Sequence, residues 1–224
     1  MRWRAKLSLI LRSTLLLAAV LLALAHAAGV WPLGFLTQID LAIADARLRA
    51  HMPRSLDPRI VVVDIDEKSL AQIGRWPWGR DRMAALADEL FARQKAAVVG
   101  FDLLFAEPDT SSGLRALEQL AAVDAALQPK LATLRDTLDN DARFARALAG
   151  RAAVLGFYLT SDRGAHQAGV LPAPVFDAAA LQGRPITFTR WDGHAANLAA
   201  IASAAPAAGF FNSLPDADGV ARSV

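Results

Sequence analysis

The first feature of the chain is a long stretch without charged side chains. No Asp, Glu, Lys or Arg occurs between Arg12 and Asp40, and leucine and alanine dominate the first part of this stretch. A helix of about 20 apolar residues is long enough to span the hydrocarbon core of a bilayer. The pattern therefore predicts a basic N-terminal segment at 1–12 and a transmembrane helix at 13–34.

The charges before this stretch predict its orientation. The first twelve residues contain basic side chains and no acidic one, at Arg2, Arg4, Lys6 and Arg12. By the positive-inside rule the N-terminus stays in the cytoplasm, so 35–224 would form an extracytoplasmic domain facing the periplasm from the inner membrane. A cleaved signal peptide is the alternative, because Ala25-His26-Ala27 fits a small-x-small cleavage site. Both interpretations export the domain.

The alternation of apolar and polar residues after the anchor predicts an α/β fold. Residues 34–54 place apolar side chains at helical spacing and predict an amphipathic helix. Short β-branched or apolar runs predict strands, and leucine- and alanine-rich runs between them predict helices. The predicted strands are 59–66, 96–105, 152–159, 186–190 and 207–214; the predicted helices are 67–73, 81–94, 112–138, 140–149 and 197–205. This order indicates a central, mostly parallel sheet covered by helices, with a crossover between the first two strands.

Composition narrows the class of function. The chain has no cysteine, which excludes disulfides and thiolate chemistry. Of its 24 basic residues four lie in the N-terminal segment, which leaves 20 against 22 acidic residues in the rest of the chain. The exported part is therefore slightly acidic, and we expect no nucleic-acid partner. No phosphate-binding glycine loop or paired histidine spacing occurs, so we predict neither a cofactor nor a metal site.

Acidic and amide side chains follow three of the predicted strands. Ligands of open α/β sheets bind beyond the carboxyl ends of the strands, so these side chains are candidate ligand contacts. They are Asp64 and Asp66 after the first strand, Asp102 and Glu107 at the second, and Asn212, Asp216 and Asp218 at the last. The alternative is structural, because acids after strands often cap helices or close turns.

A loop with two tryptophans completes the candidate site. Residues 74–83 read GRWPWGRDRM and contain two of the five tryptophans of the chain. We expect Trp76 and Trp78 to form an aromatic lid beside the acids, and Arg80 to pair with one of them. Alternatively, both indole rings close the hydrophobic core.

An enzymatic alternative rests on residues 61–66, VVVDID. They resemble the first motif of haloacid-dehalogenase-like phosphatases, in which the first Asp is the nucleophile and the second a general acid. By that resemblance the chain would be an anchored, metal-dependent periplasmic phosphohydrolase using Asp64 and Asp66. The motif departs from the family where Glu67 and Lys68 replace small residues.

Four segments together resemble the second type of CHASE domain, the extracellular sensory domain associated with cyclases and histidine kinases. They are VVVDIDEKSL, GRWPWGRDRMAAL, VVGFDLLFAEPD and GFFNSLPDADGVAR, in that order after a membrane helix. Their most specific elements are Asp-x-Asp-x-x-Ser-Leu, Gly-x-Trp-Pro-Trp-x-Arg, Phe-Asp-x-x-Phe-x-x-Pro-Asp and Asn-x-x-Pro-Asp-x-Asp-Gly-Val-x-Arg. The resemblance covers residues 35–224.

This resemblance implies the sensing part of a bacterial membrane receptor. Such domains follow one membrane helix and precede about three more, which lead to a cytoplasmic cyclase, kinase or diguanylate-cyclase module. No catalytic residue is assigned to them, so the resemblance implies that the chain itself is not an enzyme. We expect a homodimer that binds an unknown extracellular ligand, and a receptor that is truncated in the sequence given.

Overall fold

The computed structural model describes residues 2–161, 164, 166–183, 189–216 and 218–222. The chain divides into two compact units. One unit contains the residues before Asp64 together with Asp216–Val220, and the other contains Asp64–Pro215 and the residues after Val220.

The first unit is built mainly from two helices, α1 at Arg2–Ala27 and α2 at Gly34–His51. Within α1, Ile10–Ala27 has a mean hydropathy of 2.0, which is apolar enough for this helix to cross a membrane. Helix α1 ends at Ala27. The last residues of the predicted transmembrane segment 13–34 therefore lie after α1, in the connection to α2. The boundaries 1–12, 13–34 and 35–224 stay predictions, since helix ends do not fix the position of a bilayer.

The predicted first strand is wrong. Residues 60–66 form neither a strand nor a helix, and Ile60, Val61, Val62 and Val63 are 57–87% exposed. A β-branched run reports a local preference, but a strand also needs a neighbour that completes its hydrogen-bond ladder. No described strand pairs with this run, so the predicted crossover between the first two strands is also absent.

The second unit contains the remaining helices and all the described strands. Its helices are α3 at Glu67–Ile73, α4 at Arg80–Asp88, α5 at Leu114–Val123, α6 at Gln128–Leu138, α7 at Asn140–Leu148 and α8 at Ala199–Ala204. A π-helical turn, Glu89–Arg93, extends α4, and 3₁₀ turns lie at Ala125–Leu127 and Ala178–Leu181. Its strands are β1 at Val99–Phe101, β2 at Ala153–Thr160, β3 at Gln167–Ala168, β4 at Gly193–Ala195 and β5 at Ala207–Phe210.

The strands form one mixed sheet, which confirms the predicted α/β class. Strand β2 runs parallel to β1 and β5, with Val99 opposite Ala153 and Val154 opposite Ala207. Its C-terminal end pairs antiparallel with β4, and β4 pairs parallel with β3. The antiparallel part was not predicted, because β4 lies between the predicted strand 186–190 and the predicted helix 197–205. Most of the predicted strand 186–190 lies outside the described residues.

The core lies on one face of the parallel strands, against α4, α7 and α8. Three phenylalanine rings meet edge to face at its centre: Phe105 and Phe144 lie 4.9 Å apart, and Phe101 lies within 6.2 Å of both. The predicted helix at 81–94 corresponds to α4 and its π-helical turn, in which Met83 is fully buried and the side chains of Leu86 and Phe91 pack against the core.

Two glycines opposite one another in the sheet differ in the space around them. Gly156 on β2 pairs with Gly209 on β5. A Cβ atom on Gly156 would lie 1.6 Å from Cζ of Phe211, whereas nothing lies within 4 Å of the corresponding position on Gly209. Phe211 therefore packs directly over the backbone of Gly156.

We predict that Gly156→Ala lowers the free energy of unfolding by about 1–3 kcal/mol, because the added methyl group displaces the Phe211 ring. Gly209→Ala is the matched control and leaves stability unchanged or raises it by up to about 1 kcal/mol. Denaturant unfolding of the full chain in detergent, followed by circular dichroism, measures both. Equal effects of the two substitutions would contradict the packing of Phe211 on Gly156.

Candidate functional site

A polar junction lies at the N-terminus of α4, where three chain segments meet. We call Arg80, Asp109, Ser111, Asn140 and Asp141 the α4 junction. The main-chain N–H of Arg80 donates to Asp109 Oδ2 at 2.6 Å, and the N–H of Ser111 donates to Asp109 Oδ1 at 2.6 Å. Asn140 Nδ2 donates to Asp109 Oδ2 at 3.2 Å. Asp109 thus caps α4 from a distant part of the sequence.

The cap replaces one that the local sequence lacks. Gly79 is the N-cap residue of α4 and has no side chain to accept an N–H group. A Cβ atom on Gly79 would lie 2.5 Å from Asp81 Oδ1 and from Ser111 Oγ, and 3.4 Å from Asp109 Oδ2. Glycine therefore leaves the space in which the carboxylate of Asp109 reaches the helix. Asp81, at which the predicted helix 81–94 begins, lies in the first turn of α4.

The side chain of Arg80 joins the same junction. Its Nε lies 3.6 Å from Asp141 Oδ1, and its NH2 group donates to the carbonyl of Glu107 at 3.2 Å. The guanidinium carbon lies 4.7 Å from the centre of the Phe105 ring, which is a cation–π geometry. Arg80 therefore pairs with an acid, as expected, but this acid is Asp141 on α7, which was not among the candidates.

The two carboxylates of the junction differ in their pKa values. Burial raises the pKa of Asp109, but hydrogen bonds from Ser111, Arg80 and Asn140 outweigh it and hold this pKa below its ordinary value. Burial raises the pKa of Asp141, and the N–H of Asp109 and the charge of Arg80 compensate only in part. Hydrogen bonds to the ionised form thus dominate at Asp109, and desolvation dominates at Asp141.

Asp141 also holds the loop that carries Asp109. Its Oδ2 atom accepts the main-chain N–H of Asp109 at 2.9 Å. Its Oδ1 atom and Arg80 Nε are both buried, and neither has a hydrogen-bond partner among the described residues. Their attraction across 3.6 Å is therefore an ion pair without a hydrogen bond.

The tryptophan loop lies directly before the junction. Trp76 packs against the hydrophobic core, and its ring lies 5.7 Å from that of Trp78 at an interplanar angle of 68°. Trp78 Nε1 donates to the carbonyl of Gly74 at 2.8 Å, which closes the loop on itself. The structure thus gives Trp76 a core contact, and a lid over a ligand stays a prediction for both rings.

The first two acids after the predicted strands have different surroundings. Asp66 caps α3 by accepting the N–H and the hydroxyl of Ser69, at 2.8 and 2.7 Å. These two hydrogen bonds lower the pKa of Asp66. Asp64 is exposed two residues earlier. This geometry gives the phosphohydrolase alternative no support, because the carboxylate of the expected general acid is used as a helix cap.

The other acidic candidates lie at the surface of the second unit or in a turn of the first unit. Asp102 and Glu107 are exposed, and Glu107 contributes its carbonyl to the junction. Asp216 and Asp218 belong to the other unit, where they form a turn: the N–H of Gly219 donates to the carbonyl of Asp216, and that of Val220 to Asp218 Oδ1. Ligand binding by these four side chains stays a prediction.

Asn212 extends the sheet past the end of β5. Its Oδ1 accepts the N–H of Leu159 at 2.8 Å, and its Nδ2 donates to the carbonyl of Leu159 at 2.7 Å. The side-chain amide of Asn212 therefore makes the two hydrogen bonds to Leu159 that the main chain of a neighbouring strand would make. Asn212 is 7% exposed, and its contact with a ligand stays a prediction.

The sequence analysis missed two asparagines with central positions. Asn140 joins the α4 junction, and Asn197 accepts the N–H of Phe105 at 3.0 Å and donates to the carbonyl of Gly156 at 2.8 Å. Each precedes or begins a helix, a position in which asparagine is ordinarily read as a local cap. One sequence feature pointed to Asn197: it lies among apolar residues. Its side-chain amide is therefore expected to be buried and to need hydrogen-bond partners.

Comparison with known proteins gives one match. The family model of the CHASE2 domain matches residues 15–224. No curated protein and no solved structure matches the chain. The match covers nearly the whole chain, including the three segments that meet at the α4 junction.

We predict that Asp109→Asn lowers the free energy of unfolding by about 1–3 kcal/mol. The carboxylate of Asp109 accepts from N–H groups at both oxygens, so an amide NH₂ in either orientation would face another donor. Asp139→Asn is the matched control: Asp139 caps α7 through the single N–H of Ala142, and asparagine caps equally well, so the change stays within about 0.5 kcal/mol.

Denaturant unfolding at neutral pH measures both variants. A loss of stability in Asp139→Asn as large as that in Asp109→Asn would show that any charge change near α7 is harmful. That outcome would contradict the role of Asp109 as an acceptor from both sides.

Proposed function

The chain belongs to the CHASE2 domain family, and on this premise we propose that it is the extracytoplasmic stimulus-sensing domain of a membrane-bound signal-transduction receptor. CHASE2 domains are sensory domains found in receptors, and they are not catalytic. The family match is the observation that carries the proposal.

The geometry of the α4 junction supports this reading of the chain. Arg80 ends the segment Gly-x-Trp-Pro-Trp-x-Arg, and Phe105 and Asp109 belong to Phe-Asp-x-x-Phe-x-x-Pro-Asp. The N–H of Arg80 bonds Asp109, and its guanidinium lies over Phe105. Two segments that carry the resemblance to the family thus contact one another, through Arg80, Phe105 and Asp109.

The N-terminal helix supports attachment to a membrane. Its apolar window from Ile10 to Ala27 is long enough for one span, and the basic residues before it favour a cytoplasmic N-terminus. We therefore propose an inner-membrane anchor with the sensory domain in the periplasm. Helix α2 follows the anchor and provides the chain connection towards the domain.

Signalling would use a conformational equilibrium of a homodimer. A ligand shifts such an equilibrium only by its difference in affinity for the two states. In the proposed receptor, a stimulus bound outside the membrane favours one state of the dimer, and a cyclase, kinase or diguanylate-cyclase module in the cytoplasm responds.

We predict that the gene of this receptor encodes further membrane spans after codon 224, followed by a cytoplasmic cyclase or kinase module. Sequencing the gene downstream of that codon is the measurement. A stop codon there, together with phosphatase activity that is lost in Asp64→Asn, would contradict the receptor and favour the hydrolase.

A further inference from the structure

A cavity of about 400 Å³ lies in the second unit, away from the α4 junction. It is bounded by α8 and the turn after it, by the start of β5, and by the extended segment that follows Val170. Its walls include Leu155, Val170, Leu171, Ala202, Pro206 and Ala208. None of the candidate residues from the sequence analysis lines it. Its volume lies in the range of sites for small organic ligands, which is about 300–1,000 Å³.

The lining is mostly apolar and contains no charged side chain among the described residues. Among the described residues that line the cavity, alanine, proline, valine and leucine predominate, and none carries a charge. The polar side chains in its wall, Asn197 and Ser203, both have protein partners: Asn197 bonds Phe105 and Gly156, and the hydroxyl of Ser203 donates to the carbonyl of Ala200. A charged ligand would lose hydration here without gaining a counter-charge.

We propose that this cavity binds a small uncharged organic molecule that is apolar over most of its surface. The assignment rests on the proposed function, since it makes the cavity the stimulus site of the sensory domain. Polar side chains elsewhere in the second unit support it indirectly. Their hydrogen-bonding groups have partners within the protein, as seen at Asp66, Arg80, Asp109 and Asn212. The cavity, by contrast, offers mainly apolar surface to a ligand.

A short series of contacts connects the cavity wall to the α4 junction. The N–H of Val170 donates to the carbonyl of Asn197 at 2.9 Å. Asn197 Oδ1 accepts the N–H of Phe105, and the carbonyl of Phe105 accepts the N–H of Leu198 at 2.8 Å. The Phe105 ring lies beneath Arg80. These contacts run without a gap from the segment at Val170 to Arg80, the residue that begins α4.

Cysteine labelling tests the site directly, because the chain has no cysteine of its own. Two single variants of the full chain are prepared in a neutral detergent. Ala202→Cys lies in the cavity wall. Ala200→Cys is the control, because Ala200 is exposed on the same helix and does not line the cavity. The rate of modification by N-ethylmaleimide is measured with and without N-phenyl-1-naphthylamine, an uncharged probe. Its sulfonated analogue, 8-anilino-1-naphthalenesulfonate, tests the preference for an uncharged ligand.

The proposal predicts saturable protection of Cys at position 202 by the uncharged probe. At ten times the Kd of the probe, mass action makes labelling about tenfold slower. Position 200 keeps its rate, and the sulfonate protects neither position. Ala205→Cys, also in the wall, replaces Ala202→Cys if that variant loses the circular dichroism spectrum of the parent chain.

Three results would overturn the proposal: no protection at position 202, equal protection at both positions, or equal protection by the sulfonate. Each would remove the cavity as the site for an uncharged ligand. The receptor assignment would remain, because the gene downstream of codon 224 tests it independently.

Discussion

At the start of α4, the carboxylate of Asp109 accepts the main-chain N–H groups of Arg80 and Ser111, each at 2.6 Å. Helix N-termini expose N–H groups that need partners, and a negative charge there is further stabilised by the helix dipole. Gly79 supplies no local cap, so the partner comes from a segment 29 residues further along the chain. This interaction ties the start of α4 to the loop after β1, and Met83 of α4 belongs to the same buried core as Phe144 and Leu148.

The pKa values of the two carboxylates in the junction are shifted in opposite directions. The folded-state pKa of Asp109 is lowered, so its contribution to stability is present above the unfolded pKa and is lost as the pH falls through the folded value. The folded-state pKa of Asp141 is raised, so ionising it costs stability as the pH rises from the unfolded towards the folded value. Asp109 therefore holds the junction together in its ionised form, and the charge of Arg80 offsets part of the cost of ionising Asp141.

The sequence predicted elements whose signals are local. The break at residues 139–141 predicted a helix start, and α7 begins there with Asp139 as its cap. Strands β2 and β5, the apolar face of α4 and helix α8 follow equally from local patterns. The prediction of a strand at 59–66 was wrong because the residue pattern of a strand carries no information about whether a partner strand is present. The pairing of Arg80 with Asp141 could not be predicted for a related reason. A contact between segments that are distant in the sequence produces no local spacing pattern.

The chain belongs to a family of sensory domains, and the most distinctive polar residues of its four segments have structural partners. Asp66 caps α3, Asn212 extends β5, and Arg80 and Asp109 meet at α4. In our proposal the stimulus binds in the apolar cavity, apart from these residues. Asn197 lies between the two parts, with its main-chain carbonyl at the cavity wall and its side chain on Phe105.

The most direct test of this account is a carbon-13 NMR titration of the aspartate carboxyl groups, with the amide of Arg80 followed in parallel. The account predicts that Asp109 titrates below the ordinary range of aspartate and Asp141 above it, and that the amide proton of Arg80 shifts together with Asp109. If both carboxyl groups titrated at the ordinary value and the amide of Arg80 did not respond, Asp109 would not be the cap that organises the fold.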